Sequence, residues 1–371
     1  MRIGILTYHR AKNYGAFLQS FALCSRLNQE KDMEAEIIDF HMDKEIEVYK
    51  LNSSLKHIIA HPANYLFMNN LYDSFTEALR LQKLSNAYLH SNKITDFIKF
   101  VDYKYDVIIA GSDEIWKING VRGFPTPYWL PGNLHCKKVS YAASSCTNYY
   151  ELNTNVSRKI KELLTDFSLI SVRDQITYDQ ISQIMGDTNK IILSPDPTFI
   201  YSWNISKDKG KQIFSNNCRI NKKKKIALVM TEDIVIAQKI RKHFSKKYNL
   251  VSVFHPHKGY INIAHLNPFD WINAIAASDF VFTSYFHATC FSIIADVPFM
   301  AVGTKNKINK IKDILNRSGN NYRYLELSNN EINEENLISV YKNCEKEINN
   351  KFFIDKCQSE FMNYLTLLRH V

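Results

Sequence analysis

A chain of 371 residues with 45% hydrophobic and 23% charged residues is long for one compact core, so two domains are the expectation. The net charge of +10 favours an anionic partner, but the one dense basic run, Lys222-Lys223-Lys224-Lys225, stands directly before an apolar strand with no zinc-finger, basic-zipper or ribonucleoprotein motif, which argues against nucleic acid. Seven scattered cysteines without a C-x-x-C exclude a disulfide scaffold and a structural zinc, and the apolar stretch near residues 291–302 is broken by Asp296 and Pro298, too short to cross a bilayer.

Residues 3–8 read as a buried strand entered at once, with no signal-peptide core, so a cytoplasmic location is expected. A loop leads into a helix over 16–28 and a strand over 36–40, which makes the opening a βαβ unit. Residues 53–100 carry an amphipathic helical pattern interrupted at His61-Pro62, read as helices inserted into the sheet order. Strands at 105–110 and 138–144 end in small polar residues, the first at Gly111-Ser112-Asp113-Glu114-Ile115-Trp116, and both tops have the character of site loops. A helix near 156–166, a strand at 169–173, a second helix after Asp174 and a strand from 191 complete the first half. The polar stretch 201–225 reads as a less ordered passage between domains. Beyond it, strands at 226–230, 250–254, 280–283 and 299–302 alternate with helices, a second parallel α/β layer. The closing helix, 351–370, carries Phe352, Phe353, Cys357, Phe361, Tyr364 and Leu368 at helical spacing. Domain boundaries are expected at 1–205, with the insertion, at 206–345, and at 346–371 for a terminal helix.

The segment 281–295 is the most informative. A short strand breaks at Ser284-Tyr285 and restarts as a helix with His287 and Thr289 at its mouth. The first N–H groups of a helix lack internal partners and its dipole favours anions, so an imidazole there can handle protons beside a bound anion. A packed histidine satisfied by a backbone carbonyl is the other reading. Gly15 either admits a ligand to the start of the first helix or makes a tight turn. Arg173, leaving the sheet, either clamps a carboxylate or phosphate with its planar fork or pairs with Asp174 at the surface. Lys305, Lys307, Lys310 and Lys312 follow the strand at 299–302, where one of them can face an anion. Asp113 or Glu114 can accept protons or cap a helix. His255-Pro256-His257 has no further ligands at a metal-site spacing and reads as loop surface; no metal is expected. Neither G-x-G-x-x-G after the first strand nor a P-loop occurs.

Taken in order, these fragments resemble the polysaccharide pyruvyl transferase family along most of the chain. The matching residues are Gly4-Ile5-Leu6-Thr7 with Asn13-Tyr14-Gly15-Ala16 and Leu18-Gln19, Gly111-Ser112-Asp113 with Trp116, Ser140-Tyr141-Ala142-Ala143-Ser144, and Ser171-Val172-Arg173-Asp174. Asp196-Pro197-Thr198, Phe286-His287-Ala288-Thr289 with Phe291-Ser292, and Pro298-Phe299 continue the series.

The resemblance implies two Rossmann-like parallel-sheet domains facing a cleft, as in GT-B glycosyltransferases, with the C-terminal helix returning to the first domain. It implies transfer of the pyruvyl group of phosphoenolpyruvate to two hydroxyls of a galactose- or mannose-type, lipid-linked sugar in surface polysaccharide synthesis, with no cofactor beyond that donor substrate. Contact with an anionic membrane face would suit the charge. On this resemblance His287 is the acid/base, Arg173 the anion clamp, Lys310 a second cation and Asp113 a catalytic carboxylate. Asn13, Tyr14, Gly15, Gln19, Ser112, Glu114, Trp116, Ser144, Ser284, Thr289 and Lys310 are the expected substrate-binding residues. Three positions depart from the family pattern: Ala288 replaces a glycine, Glu114 a glutamine and Lys310 an arginine, the last keeping charge but losing bidentate geometry. The alternatives are a nucleotide-sugar glycosyltransferase of the same architecture and a non-catalytic sugar-binding homologue.

Overall fold

The structure, a computed structural model, describes residues 1–9, 13–40, 81–82, 104–118, 123–145, 154–186, 190–217, 219–263, 266–303, 308–327, 333–346 and 349–371. The chain divides into two compact units, Met1–Tyr201 with Cys357–Val371, and Ser202–Lys356.

The first unit is built on a seven-stranded sheet of β1 (Arg2–Leu6), β2 (Glu34–Ile38), β3 (Leu81–Gln82), β4 (Val107–Ala110), β5 (Lys137–Ser140), β6 (Phe167–Val172) and β7 (Ile191–Leu193), in the order β3-β2-β1-β4-β5-β6-β7. Every pairing is parallel, for instance Ile5 with Ile37 and with Ile109. Near-continuous apolar runs such as Val107-Ile108-Ile109-Ala110 fit strands covered on both faces. The helices are α1 (Tyr14–Leu27), α2 (Asn155–Thr165) and α3 (Gln175–Met185), each started by a side-chain cap from Asn13, Thr154 and Asp174 respectively. One core gathers Leu6, Ile38, Ile108, Trp116, Trp129 and Phe167; burying each such side chain contributes about 1.5–3 kcal/mol.

The second unit carries a six-stranded parallel sheet of β8 (Lys225–Met230), β9 (Tyr248–Val253), β10 (Ile261–Ile263), β11 (Phe280–Thr283), β12 (Phe299–Val302) and β13 (Tyr324–Leu325), in the order β10-β9-β8-β11-β12-β13. Its helices are α4 (Lys207–Ser215), α5 (Ile234–Phe244), α6 (Pro268–Ala277), α7 (Phe286–Ile294), α8 (Ile308–Arg317) and α9 (Glu334–Cys344). The core packs Val229, Phe244, Phe280, Phe282 and Tyr341.

The last helix, α10 (Lys351–Arg369), belongs to the first unit from Cys357 onward. Phe361 and Tyr364 set their rings edge-on against Tyr141, Gln358 donates to the Phe199 carbonyl, and Arg369 bonds Asp32 and Glu30. Arginine donation is the chief reason the Asp32 carboxyl is lowered to about 2. Phe352 departs from the helical core pattern expected of it: it is 84% exposed, while Phe353 beside it is buried.

Two other expectations give way. The supposed loose passage 201–225 contains α4, capped by Ser206, with Phe214 buried and Gly210 seated against Asn273 and Ala277 of α6. Its lysines and central glycine hide this in the sequence, because the glycine serves close approach rather than helix breaking. The inserted helices over 53–100 lie outside the described residues except at Leu81–Gln82, which is a short strand paired with β2 and not helix. Parallel pairing with a partner more than forty residues away leaves no local periodicity to read. Among the described residues no helix is long and apolar enough to cross a membrane, and no group of three or more His, Cys, Asp or Glu could hold a metal ion.

Candidate functional site

In an open parallel sheet the strand order reverses at one point, and the loops leaving the carboxyl ends of the two strands there form the ligand crevice. The first sheet reverses between β1 and β4, the second between β8 and β11. The candidate residues accordingly collect at both carboxyl ends.

At the first unit's reversal, the loop after β1 and the loop after β4 are tied together. Thr7 Oγ1 donates to the Ser112 carbonyl at 2.8 Å, Gln19 Nε2 donates to Thr7 Oγ1 at 3.1 Å and to the Ala16 carbonyl at 2.9 Å, and Tyr8 Oη donates to the Glu114 carbonyl. Gln19 and Ser112 are thus fully buried supports of the loops. Asn13 is exposed and accepts from the Gly15 N–H at 2.8 Å as the cap of α1; Tyr14 and Gly15 follow in its buried first turn. Gly15 thereby opens a helix, as either of its readings allowed.

Asp113 does not cap a helix. Its backbone, at φ 82°, bridges to Ala143, and its carbonyl accepts from the Ser144 N–H. Glu114 is partly exposed, with Oε2 3.9 Å from Lys117. Trp116, expected at the substrate, is instead fully buried: it stacks on Trp129 with ring centres 5.1 Å apart and donates to the Tyr128 carbonyl. An indole at the foot of a polar loop packs into the core because its area outweighs its single donor, which finds a carbonyl. Ser144 is also buried, donating to Asp174 at 2.5 Å.

The surface pair Arg173-Asp174 is not formed. Asp174 turns to cap α3 through the Thr177 N–H, and Arg173, 3% exposed, places Nη1 3.1 Å from Asp196 and 3.6 Å from Asp113. Burial pulls the guanidinium pKa down, but Asp113, Asp196, Asp174 and Glu114 outweigh it and hold it above the ordinary arginine value. Neighbours in the sequence leave the strand end in opposite directions, and the true partners lie at the ends of β4 and β7. No local pattern signals such a pairing. Asp196, missing from the expected site residues, is legible only as part of Asp196-Pro197-Thr198.

In the second unit, His287 occupies the first turn of α7 and is buried, its ring edge-on to Phe286 at 5.1 Å. Tyr285 is the cap residue, and its side chain makes no capping hydrogen bond, in contrast to the Asn, Thr, Asp and Ser caps of α1 to α6. The first-turn N–H groups of α7 are therefore not claimed by the side chain of its own cap residue, and the helix dipole adds positive potential at this end. Lys310, on α8, brings Nζ to 5.5 Å from the centre of the Phe286 ring, adding a cation to the same turn. Lys312 instead bonds Glu326, and Lys305 and Lys307 lie outside the described residues. Ser284 donates to Thr231 at 3.0 Å and Thr289 to the Tyr285 carbonyl, so both hold the turn. His257, expected on a loop surface, is buried with Nε2 2.9 Å from the Thr231 carbonyl, joining the β9 loop to the end of β8. Its ring packs on Tyr260, an apolar partner that local polarity at His255-Pro256-His257 does not announce.

Two Rossmann-like α/β units with parallel sheets define a GT-B-like fold. Solved structures share it across the chain. The UDP-GlcNAc 2-epimerase of Neisseria meningitidis bound to UDP-GlcNAc is similar with a TM-score of 0.59 at 8% identity, covering 100% of both chains. The S. aureus MnaA–UDP structure gives 0.56 at 12% identity over 99% of this chain and 97% of that one, and Anabaena Alr3699/HepE in complex with UDP gives 0.53 at 9% over 99% and 100%. No curated protein sequence matches the chain. The model of the polysaccharide pyruvyl transferase family matches residues 13–306, so the chain belongs to that family and is a transferase.

Proposed function

We propose that the protein transfers the pyruvyl group of phosphoenolpyruvate to two hydroxyls of a sugar, forming a cyclic ketal and releasing phosphate. The observation that carries this reading is the α7 mouth, where His287, a first turn without a side-chain cap and Lys310 combine an acid/base with two sources of positive potential. Such a mouth suits a small, highly charged carboxylate-phosphate. His287 protonates the methylene carbon, leaving an oxocarbenium-like centre on the phosphate-bearing carbon. A first sugar hydroxyl adds there and gives its proton to a base, for which Asp113 is the candidate. The carbon–oxygen bond to phosphate then breaks, phosphate leaves, and the second hydroxyl closes the ring and loses its proton.

The chemistry uses no resident cofactor. Galactose- or mannose-type acceptors on a lipid carrier, in surface polysaccharide synthesis at the cytoplasmic face of an anionic membrane, fit the family and the charge of +10. The test is incubation with phosphoenolpyruvate and a panel of galactosides and mannosides, following phosphate release and the acceptor's mass. Phosphate release matched by a pyruvyl ketal on the sugar supports the reading. A sugar transferred from a nucleotide donor, without use of phosphoenolpyruvate, replaces it with the glycosyltransferase alternative.

A further inference from the structure

We propose that the amino edge of the second unit's sheet is a membrane-docking face: the lysine-bearing turn before β8, with Tyr322 and Phe352 further along the same edge, fits the surface of an anionic lipid bilayer. It deepens the membrane location in the proposed function, on which it rests, by giving that location a surface.

The lysine turn is built into the fold. Asn249 of β9, 7% exposed, accepts from the Asn221 N–H at 2.9 Å and donates to the Asn221 and Lys224 carbonyls at 2.9 and 3.0 Å. Asn221 in turn accepts from the Lys223 N–H at 2.9 Å, and Lys224 Nζ donates to the Ser245 carbonyl at 2.8 Å. Lys225 pairs in register with Tyr248, which sets Lys246 and Lys247 beside it at the start of β9. Arg219, Lys222, Lys223, Lys225, Lys246 and Lys247 are all exposed. Among the described residues, the carboxylates bonded at the starts of β8 and β9 are Asp279, which accepts from the Ile226 N–H, and Glu345, which pairs with Lys247. Positive charge predominates there.

The same edge continues to apolar side chains. Arg323 ties the end of α9 to the Tyr322 turn, donating to the Cys344 carbonyl at 2.7 Å and to the Lys346 carbonyl at 3.1 Å. Asn320 donates to Asn350 at 2.8 Å, which brings the start of α10 alongside. Tyr322 is 45% exposed and Phe352 84%. Lysines beside exposed aromatic rings suit a bilayer surface, where the cations meet lipid phosphates and the rings enter the boundary between headgroups and acyl chains. A nucleic acid would use the charges but leave Phe352 in water, and the turn is carried by lysines rather than by the planar arginine forks that read bases. The α7 mouth opens at the carboxyl ends of these strands. Since β8, Lys225–Met230, spans about 20 Å, docking by the amino edge leaves the mouth clear of the bilayer.

Vesicle flotation tests the face, with phosphatidylglycerol–phosphatidylcholine vesicles compared with phosphatidylcholine alone and labelled duplex DNA titrated in parallel. The parent protein is expected to float with the anionic vesicles, less so as salt rises. A triple variant, Lys222→Gln with Lys223→Gln and Lys225→Gln, is expected to bind them about a hundred-fold more weakly, at about five-fold per lysine near the surface. Arginine at the same three positions is expected to keep binding. Phe352→Ser is expected to lose about ten-fold at either low or high salt. Turnover on a water-soluble acceptor is expected to stay at the parent level in all three variants. Full vesicle binding by the glutamine variant or by Phe352→Ser, no preference of the parent for anionic vesicles, or duplex DNA bound more tightly than vesicles would overturn the docking face. A parent protein that floats but consumes no phosphoenolpyruvate with any acceptor would instead overturn pyruvyl transfer and leave the docking face standing.

Discussion

Gly111 lies directly against Tyr141: a β-carbon built on this glycine would stand 2.2 Å from the Tyr141 carbonyl oxygen, and its φ of +123° is one that side-chain-bearing residues rarely adopt. The turn that delivers Ser112, Asp113 and Glu114 to the end of β4 therefore depends on a missing side chain. Gly111→Ala is expected to destabilise the first unit by about 3 kcal/mol or more, since both backbone strain and a clash with main chain apply. Denaturant unfolding measures the loss, and activity is expected to fall even below the midpoint because Asp113 is displaced.

His287→Asn keeps a polar group in the first turn of α7 but cannot shuttle a proton at neutral pH. Turnover is expected to fall about 10²- to 10⁴-fold, the range for removing a general acid. Phosphoenolpyruvate affinity should change far less. Equal losses in affinity and turnover would reassign His287 to binding.

Lys310→Gln removes the cation beside Phe286. Phosphoenolpyruvate binding is expected to weaken about ten-fold at low ionic strength and by less at high salt, while Lys310→Arg keeps it. Titrations at two salt concentrations check this.

Arg369 links acid stability to the terminal helix. Its hydrogen bonds lower Asp32 from 3.8 to about 2, and those from Arg26 and Arg369 lower Glu30 below 4.5. A carboxyl group depressed on folding stabilises the native state above its unfolded value, and that contribution is lost as pH falls through the folded value. The parent protein is therefore expected to lose Tm between about pH 4.5 and 2, with a shallower decline in Arg369→Met. Thermal melts across that window decide it.

Much of the scaffold is legible locally. Apolar runs such as Val107-Ile108-Ile109-Ala110 and Phe280-Val281-Phe282-Thr283 are strands because both faces are covered, and Gly111-Ser112 after the first and Ser284 after the second mark their carboxyl ends. What stays hidden is what depends on distant partners. Gly210 looks like a helix breaker until Asn273, whose carbonyl would lie 2.1 Å from an added β-carbon, shows why α4 needs it. Asp113, Arg173 and Asp196 are each visible as polar residues at strand ends, but their mutual pairing is set by sheet order. Trp116 and His257 show the opposite limit: residues beside polar loops are drawn into the core when a carbonyl satisfies their one N–H donor.

The most direct measurement is calorimetric titration of the purified protein with phosphoenolpyruvate and, in parallel, with UDP-GlcNAc, repeated with acceptor sugar present. Saturable phosphoenolpyruvate binding that weakens in Lys310→Gln is the expected result. Tight UDP-GlcNAc binding with no phosphoenolpyruvate signal under either condition would contradict pyruvyl transfer from this donor.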